Sequence, residues 1–358
     1  MKVVTIAGTR PEFIQTSRLS HAIRRRHVEV FVNTGQHYDD LMSRIFFREL
    51  DIPQPDIDLN VGTEGATHAV QTAHILMKLE PVLQRERPDW VVVFGDTNST
   101  IAGALAAAKL NLPIAHIEAG LRSFDRKMPE EINRILTDHI SDLLLAPTAT
   151  AVANLSREGI TRGVSNVGDV RVDVLAAFVP KARERQPELL GRCGLTRNQQ
   201  FALATIHRAS NTDDPVRLAA IVAAFEQLDV PVVIPVHPRL EKMLRLAGIT
   251  LGKSVRTVEP LGFLDMLALL DACEIVVTDS GGLQKEAYML RRPCVTVRNT
   301  TEWTETVDSG WNRLTEAAGL SAAVALARKS PPEHHPDLYG MPGVSERLVD
   351  ALEQARRS

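Results

Sequence analysis

Short runs of β-branched and other apolar residues alternate with longer stretches of helical period along the chain. KVVTIAG, VEVFVNTG, WVVVFGDT, PIAHIEAG and DLLLAPT each close on a Gly, Asp or Thr turn and lead into a helical pattern. Strands that are apolar throughout and joined by amphipathic crossovers mark a parallel sheet covered by helices. The series restarts with FALATIHR, VPVVIPVHP, SVRTVEP, EIVVTDSGG and PCVTVRN. Two α/β domains are therefore expected, and 358 residues suit two domains of ordinary size. From Gly168 to about Gly194 no strand is evident and Arg, Pro and Glu are frequent, so the boundary is placed near Gly168. The first domain is then 1–168 and the second 169–343, with a closing helix over 344–356 available to pack back on the first.

Composition narrows the function classes. Hydrophobic residues make up 44% and charged residues 24%, and no apolar run approaches the roughly 18 residues of a membrane span. A soluble protein is expected. MKVVTIAGTR turns polar where a signal peptide stays apolar, so it reads as a first strand. Cys193, Cys273 and Cys294 are far apart and in apolar contexts, which points to reduced core thiols and a cytoplasmic setting rather than to zinc or disulfides. A net charge of -3 with 4% aromatic residues lacks the footprint of a nucleic-acid binder. An anionic ligand would have to be held by a few local cations.

In open parallel sheets ligands bind beyond the carboxyl ends of the strands, which selects the loops to read. Gly8-Thr9-Arg10-Pro11-Glu12 opens the first helix where a dinucleotide-binding protein would carry GxGxxG, and that motif is absent. Arg10 beside a helix N-terminus is an anion site or a solvated residue at a capped start. Asp96 and Glu118 end their strands, in FGDTNST and HIEAGLRS. Asp96 is also placed to cap the next helix. Glu118 stands before Ala119-Gly120 and is poorly explained by packing.

Pro129 fits the first position of a helix with an apolar stripe of Ile132, Ile135, Leu136, Ile140 and Leu143. Glu130 and Glu131 fall in its first turn, where they favour the helix dipole, and Glu130 is spaced to pair with Arg134. Only one of the two faces a given ligand, and spacing does not choose between them. In the second half, His207 and Arg208 end one strand and His237 the next, each alone an ordinary surface residue. Thr278-Asp279-Ser280-Gly281-Gly282 opens a helix with exposed amides suited to a diphosphate, and Glu286 lies one turn in, within reach of ribose hydroxyls.

Taken in order, GTRPEF, GDTNST, HIEAGLRS, PEEINR, the His207-Arg208 pair, PVHP, TDSGGLQKEA and TTEW resemble the non-hydrolysing UDP-N-acetylglucosamine 2-epimerases over Gly8 to about Gly310. The resemblance implies two Rossmann-like domains in the type B glycosyltransferase arrangement, a nucleotide in a central cleft, no metal or nicotinamide cofactor and a homodimer. It implies epimerisation at C2 of a UDP-2-acetamido sugar, UDP-N-acetylglucosamine to UDP-N-acetylmannosamine first, with loss of UDP to a glycal and re-addition; a type B glycosyltransferase using a UDP-sugar donor is the alternative of the same architecture. Asp96, Glu118 and Glu130 match the acid–base positions. Arg10, Ser280, Gly281, Gly282, Glu286, Arg208 and His237 match positions that hold the nucleotide, and His207 matches one of these while counting with the catalytic set.

The chain also departs from the pattern. Gln15 stands where many members have lysine, Trp303 where the common bacterial form has arginine, and HRASNTDD differs from the usual HRRE form. That last form resembles a branch with archaeal epimerases and enzymes acting on UDP-2,3-diacetamido-2,3-dideoxy-glucuronate. Gln36, Arg208 and His237 match a second, activating UDP-sugar site, but Asp39 and Ala66-Thr67 replace other members of it.

Overall fold

The computed structural model describes residues 1–36, 47–62 and 65–357; Asp39 lies outside them. The chain divides into two compact units, 1–176 with 337–358 and 177–336.

The first unit is built on seven strands: β1 (Lys2–Ala7), β2 (Val28–Asn33), β3 (Ile57–Asp58), β4 (Trp90–Phe94), β5 (Ile114–Ile117), β6 (Leu143–Ala146) and β7 (Val164–Asn166). They lie in the order β3-β2-β1-β4-β5-β6-β7 and every pair is parallel. Successive side chains go to opposite faces. Val92 and Phe94 join one core with Leu19, Ile23 and the C-terminal residues Val344, Leu348 and Leu352, whereas Val91 and Val93 join another with Ile75, Leu79 and Ala102. Both faces are buried, which is why these strands carry no polar alternation.

The helix Val344–Arg357 packs on the first unit beside the helix Arg10–Arg26. Asp173 caps it, accepting from the backbone N–H of Gly343, Val344 and Ser345 at 2.6, 3.2 and 2.7 Å. Arg26 pairs with Asp350 and Glu353, and Trp90 donates its indole N–H to the Leu352 carbonyl at 3.1 Å.

The second unit has β8 (Ala202–Thr205), β9 (Val232–Pro235), β10 (Val255–Val258), β11 (Ile275–Thr278), β12 (Cys294–Thr296) and β13 (Asn312–Leu314), ordered β10-β9-β8-β11-β12-β13 and again all parallel. Each unit is thus a Rossmann-like, doubly wound sheet.

The stretch placed between the domains is a continuous helix, Arg171–Arg192, with Pro180 and Pro187 inside it, and the units divide between Ala176 and Ala177 within that helix. The three strands beyond the sequence reading, β3, β7 and β13, are edge strands of two or three residues, too short to show a period.

Strand order reverses between β1 and β4 in the first unit and between β8 and β11 in the second. Such switch points open a crevice at the strands' carboxyl ends. Arg10 and Asp96 follow β1 and β4, and His207 and Asp279 follow β8 and β11.

Candidate active site

In the first unit the loops after β1 and β4 are fastened by one buried carboxylate. Glu12 accepts from the backbone N–H of Gly8 and Thr9 at 2.7 and 2.9 Å, and from the Thr97 and Thr100 hydroxyls at 2.5 and 3.2 Å. Burial pushes the Glu12 carboxyl up to about 7, against the lowering effect of its hydrogen bonds from Thr97, Gly8 and Thr9. Half-buried Arg10 opens the helix that this clasp fixes.

Asp96 and Glu118 sit on adjacent turns. Gly95 adopts φ +60 and Glu118 φ +70, the latter in the left-handed region that a non-glycine residue occupies at a cost. A Cβ on Gly95 would lie 3.4 Å from Glu118 Oε2, so the glycine lets the turn come against the glutamate. Gln15 reaches the same carboxylate, its side-chain N–H donating to Oε2 at 2.5 Å. Asp96 is not the helix cap; Thr97 takes that place. Asp96 instead pairs through Oδ2 with Arg134, whose guanidinium is almost completely buried, and Asn133 donates to the Asp96 carbonyl at 2.9 Å.

The helix Pro129–Ile140 lies the other way round from its sequence pattern. Its polar side, Glu131, Asn133, Arg134, Thr137 and Asp138, is buried, and Ile132 and Leu136 of the expected core stripe are 46% and 49% exposed. The ion pairs explain the inversion. Arg134 does not bond Glu130 but holds Glu131 at 2.7 Å together with Asp96. Glu131 also accepts from the Ser123 and Phe124 backbone N–H, both at 2.9 Å. Burial alone would raise the Glu131 carboxyl; Ser123, Arg134 and Phe124 hold it below its ordinary value. Glu131 is therefore a buried clamp, and Glu130 is half-buried with its carboxylate making no hydrogen bond or ion pair to another described residue.

In the second unit Asp279, fully buried, gathers the loop after β8. It accepts from the backbone N–H of His207 and Arg208 at 3.0 and 2.9 Å and from the Asn211 side chain at 3.0 Å, and it lies 3.2 Å from His207 Nδ1. The His237 ring lies 5.7 Å from that of His207 between centroids. His237 Nδ1 accepts from Arg239 N–H and caps the helix Pro238–Ala247.

Ser280 stands at the N-cap of the helix Gly281–Met289 without a side-chain bond to it. A Cβ on Gly281 would collide with the carboxylate of Glu302, which pairs with Arg298 at 3.0 Å. Glu286 is buried on that helix, and Lys285 Nζ lies 4.4 Å from the centre of the Trp303 ring. Gln36 is engaged in the first unit, its side-chain carbonyl accepting from Ser99 N–H and Oγ at 2.9 and 2.7 Å.

The arrangement can do two things chemically. The first unit offers half-buried carboxylates on the neighbouring turns after β4 and β5, one beside a guanidinium and one beside a neutral amide. The second offers a helix N-terminus and a rigid cation-bearing loop able to receive an anion.

The family model for UDP-N-acetylglucosamine 2-epimerase matches residues 21–353. The chain belongs to the UDP-N-acetylglucosamine 2-epimerase family. Within it, the chain is 50% identical over 98% of its length to a UDP-N-acetylglucosamine 2-epimerase homolog of Methanococcus maripaludis, of which 99% is covered. It is 47% identical, with the same coverage of both chains, to the UDP-2,3-diacetamido-2,3-dideoxy-D-glucuronate 2-epimerase of Pseudomonas aeruginosa. The crystal structure of Methanocaldococcus jannaschii UDP-GlcNAc 2-epimerase in complex with UDP-GlcNAc and UDP superposes with a TM-score of 0.90 at 40% identity, covering 99% of this chain and 100% of that one. As a member of the epimerase family, the chain places the residues of its PEEINR segment in two structural roles, the Glu130 carboxylate without a partner among the described residues and Glu131 and Arg134 in the buried clamp.

Proposed function

We propose that the protein is an epimerase inverting C2 of a UDP-2-acetamido sugar, with UDP-N-acetylglucosamine and UDP-N-acetylmannosamine as the leading pair. A carboxylate takes the C2 proton as the C1–O bond to UDP breaks, giving a glycal and UDP. A second acid then protonates C2 from the opposite face as UDP returns to C1. Atoms and charge balance without redox chemistry.

The observation that carries this reading is the pair of carboxylates on the neighbouring turns after β4 and β5, Asp96 held by Arg134 and Glu118 held by Gln15. C2–H is a weak acid, so its removal needs a positioned carboxylate, and the departing diphosphate needs preset donors. Asp96, Glu118 and Glu130 are the acid–base set. Ser280, Gly281 and Gly282 supply amides to the diphosphate, Arg10, Arg208, His207 and His237 supply charge and donors to it, and Glu286 takes the ribose.

The full-length likeness to the Pseudomonas enzyme supports a second substrate, the UDP-2,3-diacetamido-2,3-dideoxy-glucuronate. Product analysis decides between them: incubation with each sugar nucleotide, followed by NMR of the sugar ring, yields the manno isomer of the true substrate. Release of free sugar in its place would mean hydrolysis.

Two finer readings complete the proposal. The outward apolar side of Pro129–Ile140, with Phe124 at 69% exposure, supports a homodimer through this face. The three cysteines are free and buried, which supports a reducing, cytoplasmic setting.

A further inference from the structure

One polar side chain interrupts the apolar strand β5. His116 is fully buried between Ala115 and Ile117. Its Nδ1 lies 2.7 Å from Asp138 Oδ1, and its Nε2 lies 2.8 Å from the Gly95 carbonyl oxygen. A backbone carbonyl only accepts, and so does an ionised carboxylate, so both ring nitrogens must donate. An imidazole that donates twice carries a positive charge.

The surroundings fit that charge. Burial alone would raise the Asp138 carboxyl, but His116 and Arg122 beside it hold it below its ordinary value, so it is the anion. Arg122 is also buried; it donates to Asp138 Oδ2 at 2.7 Å and makes two bonds of 2.7 Å to Glu158. His139 lies 3.5 Å from Glu158 on the exposed side of the set, and within the buried part His116 and Arg122 face Asp138 and Glu158 as two cations against two anions when the ring is protonated.

We infer that His116 is a buried imidazolium which, together with Asp138, holds in place the two turns that carry Asp96 and Glu118. The bond from Nε2 fixes the carbonyl of Gly95, the residue before Asp96. Asp138 Oδ2 accepts from the N–H of Gly120, two residues beyond Glu118, at 3.1 Å. Both turns run through left-handed backbone, at Gly95, Glu118 and Gly120, and the conformation at Glu118, costly for a residue with a Cβ, needs such an anchor. His116 reaches no substrate atom in this scheme; it is a positioning residue. The positioning role rests on the proposed use of Asp96 and Glu118, whereas the charge of the ring does not.

The test combines a spectrum with kinetics on the full-length protein. With 15N-histidine labelling, His116 should show both ring nitrogens protonated at neutral pH, each with a slowly exchanging proton. In Asp138→Asn the amide can donate to Nδ1, so the ring should become neutral while both hydrogen bonds survive. His116→Asn should lower kcat for the UDP-sugar tenfold or more, with KM changed less than about threefold and UDP affinity unchanged, and Asp138→Asn should retain more activity than His116→Asn.

A neutral His116 in the wild-type spectrum overturns the proposal, as does an unchanged kcat in His116→Asn. If His116→Asn does not fold, the wild-type spectrum and the Asp138→Asn kinetics decide. A wild-type protein that turns over no UDP-sugar overturns the functional reading and with it the positioning role, while the spectrum still decides the charge of the ring.

Discussion

The side-chain amide of Gln15 donates to Oε2 of Glu118 across 2.5 Å, joining the first helix of the chain to the turn after β5. A hydrogen bond to a charged group contributes about 1.5–3 kcal/mol, so Gln15→Ala should lower kcat about 10- to 100-fold. Gln15 meets Glu118 and none of the residues proposed to hold the diphosphate, so UDP affinity should stay within about twofold. Steady-state kinetics and calorimetric titration with UDP check both halves.

Neighbouring glutamates should separate cleanly. Glu130→Gln is expected to lower turnover by roughly 10²–10⁴, with stability within about 0.5 kcal/mol of wild type. Glu131→Gln removes an anion that Arg134 and two backbone amides need, and should cost about 3 kcal/mol of unfolding free energy. Urea denaturation and turnover per folded molecule distinguish the two; a stable, fully active Glu130→Gln enzyme returns the catalytic assignment to its neighbour.

Glu12 makes stability depend on pH. Its folded carboxyl binds a proton more tightly than the ordinary group, about 7 against 4.5, so ionising it costs stability. The penalty is absent below pH 4.5, grows as pH rises, and is complete above about 7. Between pH 5 and 8 the cost should reach about 2 to 3 kcal/mol. Glu12→Gln should flatten this slope in denaturant titrations across that range; an unchanged slope contradicts the burial argument.

Asp279 organises the His207-Arg208 loop, so Asp279→Ala should weaken UDP binding at least tenfold, roughly the loss of one charge-assisted contact. The first unit's carboxylates would be untouched. Calorimetry with UDP alone reads this effect apart from catalysis.

The outward face of Pro129–Ile140 predicts an assembly. Ile132→Lys combined with Leu136→Lys should turn a dimer into a monomer in sedimentation velocity. A wild-type monomer would leave those side chains without a partner and contradict the homodimer.

Ten of the strands were legible because each is a run rich in β-branched and apolar residues closed by a turn residue; β3, β7 and β13 were not, being two or three residues at sheet edges. The helix Arg171–Arg192 was hidden by Pro180 and Pro187, which read as linker composition. Site candidates at strand exits followed from the switch-point rule, which needs only strand ends. What period analysis could not show was the clamp: Arg134, Glu131 and Asp138 draw the polar side of their helix inward and leave Ile132 outside. Glu12 did leave a signal, since Thr9-Arg10-Pro11-Glu12 has the spacing of a capping box. His116 left one too, as the single polar residue in PIAHI, although its charge depends on Asp138 and Gly95, distant in sequence.

The central claim is that one carboxylate of this chain removes the proton at C2 of a UDP-sugar and a second acid delivers a solvent-derived proton to the opposite face. Incubation in deuterated water with UDP-N-acetylglucosamine, and separately with the diacetamido uronate, followed by NMR and mass analysis of the sugar, tests it most directly. The account predicts one deuterium at C2 of the substrate's manno isomer, accumulating in step with epimerisation and lost in Glu118→Gln. Absence of deuterium and of the manno isomer with both sugars would contradict it.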